Sequence, residues 1–110
     1  SFICLAGFMK ILSNKILNKY RNKTINIHPS LLPKFKGLNT YKRILDKKER
    51  KTGCTVHFVN EKLDSGKIIT QKFFYIQKGD SEFSLKEKTQ KLEIYALPEA
   101  IIKIFRNSSI

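Results

Sequence analysis

A short β-branched segment, Thr24–His28, sets the strongest constraint on the fold of this chain. Its residues TINIH favour a strand, and Pro29 biases the residue before it toward extended backbone, so the strand is predicted to end at His28. A second strand is predicted at Phe2–Gly7, a continuous apolar run of the kind that is covered on both faces. A helix predicted at Asn14–Tyr20 separates the two strands, which is typical of α/β proteins.

The rest of the chain continues this alternation. The predicted elements are a helix from Asn39 or Thr40, either of which can cap it, to about Lys48; a polar turn; strands at Cys54–Val59 and Lys67–Tyr75; and a long helix that opens at Ser84. Pro98 is expected to kink or restart the last helix, because proline removes a backbone donor. The sequence therefore predicts a Rossmann-like α/β fold with a mostly parallel sheet, an antiparallel edge and a long closing helix.

Length and composition fit one globular domain or part of one. The chain has 110 residues, of which 41% are hydrophobic, with five glycines and three prolines, and this excludes the disordered and collagen-like classes. No apolar run approaches the roughly 20 residues of a membrane-spanning helix. Cys4 and Cys54 stand 50 positions apart without a neighbouring ligand cluster, so neither a metal site nor a disulfide framework is indicated. A reducing cytoplasm is the expected compartment.

The formal net charge of +13 raises the alternative of a nucleic-acid partner. Eighteen of the 22 basic residues are lysines, however, and they are spread along the whole chain. Arginine is the better donor fork for phosphates and bases. We therefore expect a solvated basic surface and no specific nucleic acid, and retain a basic nucleic-acid-binding module as an alternative.

The densest candidate site follows the strand Thr24–His28. Asn26 and His28 are two positions apart and project from the same face, at the end of the strand beyond which ligands bind in open α/β sheets. A single histidine is more often structural than catalytic. Asp64 lies in the turn LDSG, and because turns commonly contain Asp and Gly, it is alternatively an ordinary turn residue. His57, between two apolar strand residues, is interpreted as structural. Two further candidates, Gln90 and Glu93, lie three residues apart on the last predicted helix.

Four segments carry a resemblance to a known family. They are LAGFMKILS at 5–13, INIHPSLLPKFKGLNTY at 25–41, GCTVHFVNEKLDSGKIITQ at 53–71 and QKLEIYALP at 90–98. Together they resemble phosphoribosylglycinamide formyltransferases over nearly the whole chain. Related enzymes that act on tRNA share the Asn, His and Asp but usually continue with a segment rich in Arg, Gly and Ala, where this chain has Phe35–Asn39. A methionyl-tRNA formyltransferase-like enzyme is therefore the second enzymatic alternative.

The resemblance implies a formyltransferase-type fold and transfer of a formyl group from 10-formyltetrahydrofolate to the amine of glycinamide ribonucleotide, in purine biosynthesis. It implies Asn26, His28 and Asp64 as catalytic residues. In such a reaction negative charge builds on the formyl oxygen, which Asn26 and His28 would meet as donors. Asp64 would pair with His28 or order water beside it, favouring the imidazolium and assisting proton transfer. The implied partners are these small molecules, without a metal or a membrane, and the oligomeric state stays open.

The resemblance also implies two sets of binding residues. The set for the folate is Leu5, Met9, Lys10, Ile11, Leu12, Leu17, Val59, Asn60 and Glu61, and most of its members are apolar, as a flat pterin requires. The set for the ribonucleotide is Ile27, Pro29, Gln90 and Glu93. Lys10 stands where family members commonly have arginine, so a bidentate contact is not expected there.

Members of this family begin with a nucleotide-binding half whose glycine-rich loop holds the substrate phosphate. By the resemblance, residues 1–110 correspond to the C-terminal catalytic part and form a single partial domain without that half. Because remote binding energy supports catalysis at the reacting centre, we expect the isolated 110 residues to be inactive or nearly so.

Overall fold

The computed structural model of the chain describes residues 3–6, 24–60 and 62–108. Its elements are β1 (Ile3–Ala6), β2 (Thr24–His28), α1 (Thr40–Asp46), β3 (Lys51–Phe58), β4 (Ile68–Tyr75) and α2 (Glu82–Ser108). The predicted α/β class is confirmed, and β2 has the bounds that the sequence indicated. The helix predicted at Asn14–Tyr20 lies outside the described residues.

The four described strands form one sheet in the order β1-β2-β3-β4. β1 and β2 are parallel, whereas β2–β3 and β3–β4 are antiparallel. Within the described strands the sheet is therefore not mostly parallel, and its antiparallel part is larger than the predicted edge. One physical reason is the connection 59–67, which is shorter than the dozen or more residues that a parallel crossover needs.

The two faces of the sheet differ in chemistry. Ile25 and Ile27 of β2, with Val56 of β3, are buried on the face that packs against Ala96 and Ala100 of α2. The opposite face carries the polar side chains that alternate with them along β2 and β3. Cys54, Val56 and Phe58 alternate along β3 on the same face, and they belong to the core cluster or pack against it. The core and the polar residues thus occupy opposite sides of the same two strands.

β3 begins at Lys51, three residues before the predicted start, because long-range pairing overrides the turn-like local sequence. Lys51, Thr52 and Gly53 pair with Tyr75, Phe74 and Phe73 of β4. Gly53 fits there because it has no Cβ: one added at this position would lie 1.8 Å from the carbonyl oxygen of Lys72. The predicted polar turn is correspondingly shorter.

The two helices also differ in detail from the prediction. Asn39 occupies the N-cap position of α1 but makes no capping hydrogen bond through its side chain, and α1 ends at Asp46. α2 begins at Glu82 and runs to Ser108 as one helix with Pro98 inside it, so of the two predicted effects of Pro98, a kink or a restart, the restart is wrong. The helix is buried against the sheet on both sides of Pro98, at Ala96 and Ala100, and this packing opposes a break.

Candidate functional site

Four polar side chains meet on the polar face of the sheet, at the carboxyl end of β2. Asn26 and His28 come from β2, His57 comes from β3, and Asp64 comes from the turn that follows β3. All four residues are buried, His28 completely and Asp64 to within 6% of full burial. Burial of polar groups is costly unless they pair, so their mutual arrangement has structural and chemical weight. Sequence reasoning had singled out three of them.

His28 lies between a backbone carbonyl and a carboxylate. Its Nε2 is 2.7 Å from the carbonyl oxygen of Phe35, and because a carbonyl only accepts, Nε2 carries a proton. Its Nδ1 is 3.4 Å from Oδ2 of Asp64. Among the described residues Nδ1 has no partner with hydrogen-bond geometry, although it is fully buried. A neutral His28 therefore presents a lone pair beside the carboxylate, and a proton taken up there would create a buried ion pair.

The carboxylate of Asp64 is held in place by its own turn and by a neighbouring loop. Asp64 has the left-handed backbone conformation, with φ at 49°. Its Oδ2 accepts a 2.8 Å hydrogen bond from the backbone N–H of Gly37. Gly66 lets the turn fold tightly onto β3, since a Cβ there would lie 1.5 Å from the carbonyl oxygen of Phe58. The turn LDSG thus holds the Asp64 carboxylate beside His28.

His57 is the site residue that the sequence interpretation left out. Its Nδ1 is 3.0 Å from the carbonyl oxygen of Phe58, so Nδ1 carries the proton and Nε2 accepts the amide N–H of Asn26 at 3.4 Å. The same Nε2 is 3.8 Å from Oδ1 of Asp64. Asn26 and His57 are direct partners in the β2–β3 register. The alternation of side chains along β3 places His57 on the face opposite Val56. The sequence does not show that His57 lies beside Asn26, because the register between the two strands cannot be read from it.

Burial controls the protonation of both histidines. It lowers the pKa of His28 below its ordinary 6.5, and the hydrogen bond to Phe35 and the charge of Asp64 offset this only in part. Burial likewise lowers the pKa of His57, against the opposing effects of the Phe58 carbonyl and Asp64. Asp64 therefore favours the imidazolium of His28, as predicted, but desolvation outweighs it. Both rings are neutral at pH 7.

The residues that the resemblance assigned to the ribonucleotide are divided between the two faces of the sheet. Pro29 directly follows His28 and is half-buried, whereas the side chain of Ile27 is in the core on the opposite face. Gln90 is exposed and Glu93 is half-buried, both on α2. Burial, with the nearby charge of Glu93, raises the pKa of Tyr41 to about 12. Glu93 thus lies on the α2 side, near Tyr41.

Three of the residues assigned to the folate are described. Leu5 of β1 is the register partner of Asn26, and Val59 and Asn60 directly follow β3 with half-buried side chains. The backbone N–H of Val59 donates to the carbonyl of Thr24 at 2.9 Å, which fixes the start of this segment beside β2. Outside the described residues lie Met9, Lys10, Ile11, Leu12, Leu17 and Glu61.

Within the described part of the chain, no group of three or more His, Cys, Asp or Glu residues is arranged to hold a metal ion. No helix of that part is long and apolar enough to cross a bilayer.

Residues 1–101 match the formyl transferase family. The chain is 50% identical over 99 residues to the trifunctional purine biosynthetic protein adenosine-3 of Gallus gallus, an alignment that covers 90% of the chain and 10% of that protein. It is 46% identical over 105 residues to the phosphoribosylglycinamide formyltransferase of Haemophilus influenzae, covering 94% of the chain and 48% of that enzyme.

Solved structures give the same result. A phosphoribosylglycinamide formyltransferase from Bacillus halodurans superposes with a TM-score of 0.88 at 36% identity, over 94% of this chain and 53% of that one. A formyltetrahydrofolate deformylase from Pseudomonas syringae superposes with a TM-score of 0.84 at 31% identity, over 91% and 34%. The chain spans about half the length of the single-function Haemophilus relative and about a tenth of the trifunctional one. These matches confirm the resemblance drawn from the four sequence segments.

Proposed function

Because the chain belongs to the formyl transferase family, we propose that the protein transfers a formyl group from 10-formyltetrahydrofolate to the amine of glycinamide ribonucleotide. This reaction belongs to de novo synthesis of IMP. The observation that carries the proposal is the buried His28, set between the Phe35 carbonyl and the Asp64 carboxylate beside Asn26. Residues 1–110 are proposed to be a catalytic part of the formyltransferase domain, with phosphate anchoring supplied by a separate nucleotide-binding half.

The amine nitrogen bonds to the formyl carbon, the bond from that carbon to the folate nitrogen breaks, and the proton lost by the amine passes to the departing folate nitrogen. The chemistry therefore requires a group that stabilises charge on the formyl oxygen and a group that takes a proton from the attacking nitrogen. Asn26 supplies amide N–H donors, of which one faces His57. His28 is neutral at pH 7, so its Nδ1 is able to accept a proton. With Nε2 held by the Phe35 carbonyl, the imidazolium formed would lie 3.4 Å from the Asp64 carboxylate, and Asn26 would be the donor toward the oxyanion. Asp64 would stabilise that charged state.

The proposed ligand contacts follow the family assignment. Val59 and Asn60 lie where β3 ends beside β2, and with Leu5 and the six assigned residues outside the described ranges they would form the folate pocket. Pro29 adjoins the catalytic histidine and would contact the ribonucleotide, together with Gln90 and Glu93. A contact from Ile27 would use its main chain, because its side chain is in the core. We place the protein in the cytoplasm, with small-molecule substrates and no specific nucleic acid.

The names of the relatives favour the ribonucleotide over methionyl-tRNA as acceptor. The two sequence relatives are called a purine biosynthetic protein and a phosphoribosylglycinamide formyltransferase. A binding module without activity would have no need of a buried histidine beside a carboxylate, which is costly to maintain.

The test is a formyl-transfer assay on the natural polypeptide that contains this chain, purified from its native host. Glycinamide ribonucleotide and charged initiator methionyl-tRNA are offered separately, each with 10-formyltetrahydrofolate. We expect formylation of the ribonucleotide alone, and its loss in Asn26→Ala and His28→Ala at unchanged folding. Formylation of the tRNA alone, or an intact ribonucleotide activity in His28→Ala, would contradict the proposal.

A further inference from the structure

The loop that follows β2 is fastened to the sheet by a threonine hydroxyl. Oγ1 of Thr55 donates to the carbonyl of Ser30 at 2.7 Å and accepts the backbone N–H of Leu32 at 3.1 Å. Thr55 is fully buried, and its register partner is His28. A hydroxyl has one donor and two acceptor positions, so a single further donor would satisfy it completely.

Gln71 of β4 provides that donor. Its Nε2 lies 2.9 Å from Oγ1 of Thr55 and also 2.9 Å from the carbonyl oxygen of Leu32, a residue 39 positions away in sequence. The amide group has two N–H donors, one for each acceptor. Gln71 thereby connects β4, β3 and the loop in one hydrogen-bonded group, which we call the loop clamp: Gln71, Thr55, and the backbone of Ser30 and Leu32.

The clamped loop is the one that delivers the Phe35 carbonyl to His28. Oγ of Ser30 donates to the carbonyl of Lys34 at 2.6 Å, which links the clamp to the residue before Phe35. Phe35 itself has the left-handed conformation, with φ at 58°. That conformation is unfavourable for a bulky residue and persists only where the surroundings enforce it. The clamp is such a restraint.

From this geometry we propose that Gln71 is a positioning residue for His28. By holding the loop, it keeps the Phe35 carbonyl at Nε2 and so fixes the tautomer that leaves Nδ1 facing Asp64. Its consequence for catalysis rests on the proposed function, but its effect on the tautomer does not. Gln71 acts on His28 through Leu32, Thr55 and the loop.

The test compares Gln71→Glu with Gln77→Glu in the natural polypeptide. Glutamate keeps the size of glutamine but has no N–H to donate, so Gln71→Glu removes both clamp bonds. Gln77 is six residues further along, in the turn closed by Asp80, and Gln77→Glu introduces the same charge away from the loop. Nitrogen-15 NMR of histidine side chains reports the tautomer of His28, and hydrogen exchange reports protection of the Leu32 amide.

We expect wild type and Gln77→Glu to show the Nε2–H tautomer of neutral His28. Gln71→Glu should show an increased share of the Nδ1–H tautomer and at least tenfold faster exchange of the Leu32 amide. An unchanged tautomer ratio in a folded Gln71→Glu protein would overturn the proposal. Should that variant fail to fold, Gln71→Met, which also lacks the donors but adds no charge, serves for the same comparison.

Measuring activity together with the tautomer distinguishes this inference from the proposed function. If ribonucleotide formylation occurs, Gln71→Glu should lower kcat roughly tenfold or more with little change in KM, because the loop positions the reacting group. A changed tautomer in a protein that does not formylate the ribonucleotide would support the positioning role and contradict the proposed function. The reverse pair of results, activity with an unaffected tautomer, would contradict the positioning role alone.

Discussion

His28 and Asp64 face each other across 3.4 Å in an environment that excludes water from both side chains. The imidazole reaches this position from a strand and the carboxylate from a turn. Since burial lowers the pKa of His28, the imidazole favours its neutral form at pH 7, and its protonation would place a positive charge beside Asp64. The stability and activity of the protein should both depend on this relationship.

Replacing Asp64 by asparagine tests whether the negative charge of Asp64 contributes to catalysis. Asparagine retains an oxygen that accepts the N–H of Gly37, so the turn should survive. We expect kcat to fall by at least about 100-fold, because the imidazolium loses its counter-charge, and the free energy of unfolding to change by less than about 1 kcal/mol. Steady-state kinetics and urea unfolding measure the two quantities. Comparable losses, in kcal/mol, would show that Asp64 serves the fold.

The buried histidines should make stability depend on pH. Their folded pKa values lie below 6.5, so below pH 6.5 the unfolded chain binds more protons than the folded chain. Stability should therefore be complete above pH 6.5 and fall as the pH decreases from there toward the folded pKa values. The slope is at most about 1.4 kcal/mol per pH unit for each histidine.

Urea unfolding from pH 5 to 8 measures this slope, and His57→Gln provides the matched variant. It removes one of the two titrating rings, so the slope between pH 5 and 6.5 should become shallower. An identical slope in the variant would mean that other groups cause the pH dependence.

Asp80 anchors the start of α2 and should cause a further loss of stability, in the same direction but at lower pH. Its carboxylate accepts hydrogen bonds from Lys88 and from the Ser84 hydroxyl, and these lower its pKa to about 2. The stabilisation is therefore present above the ordinary pKa of 3.8 and is lost as the pH falls through about 2.

Asp80→Asn should accordingly lower the free energy of unfolding by about 1 kcal/mol at pH 7, and by progressively less below pH 3.8. The matched control is Asp46→Asn, whose exposed pair with Lys42 should contribute almost nothing. Denaturant unfolding across pH gives both numbers. Equal effects of the two substitutions at pH 7 would contradict the anchoring role.

Gly66 should be intolerant of any side chain. A Cβ there would lie 1.5 Å from the carbonyl oxygen of Phe58, so Gly66→Ala must move the turn that carries Asp64. We expect a loss of at least about 2 kcal/mol and of activity. Gly79→Ala is the control, because that position has open space and only its φ of 93° opposes alanine, a cost of about 1 kcal/mol. A similar cost for both substitutions in thermal unfolding would argue against the close contact.

Local signals predicted part of the fold well. Pro29 ends β2 where the sequence indicated, and the alternation along β3 separated Val56 from His57. Pairing between distant segments was not visible in the same way: Lys51–Gly53 has a turn-like sequence but is held in β3 by β4. Pro98 lies within α2 because tertiary packing outweighs its local cost.

The residues of the site also differ in whether the local sequence or only long-range pairing identifies them. Asn26 and His28 could be identified together because they are neighbours on one strand face. Asp64 gained meaning only through the family resemblance, since LDSG is also an ordinary turn. His57 contacts Asn26, 31 positions away, and Gln71 contacts Thr55, 16 positions away; both pairs are register partners on neighbouring strands, and only the strand register determines them. Period-two alternation gives the face of a residue but not its neighbour on the next strand.

Substitutions on the two faces of β2 should have two different effects, one on the amount of folded protein and one on its specific activity. Substitutions at Ile25 and Ile27 change the packing against α2, so they should act on the amount of folded protein in the cell. If Asn26 and His28 act as proposed, substitutions there should change the turnover of each folded molecule. A saturation library across this one strand should therefore separate by odd and even position, with abundance tracking one series and specific activity the other.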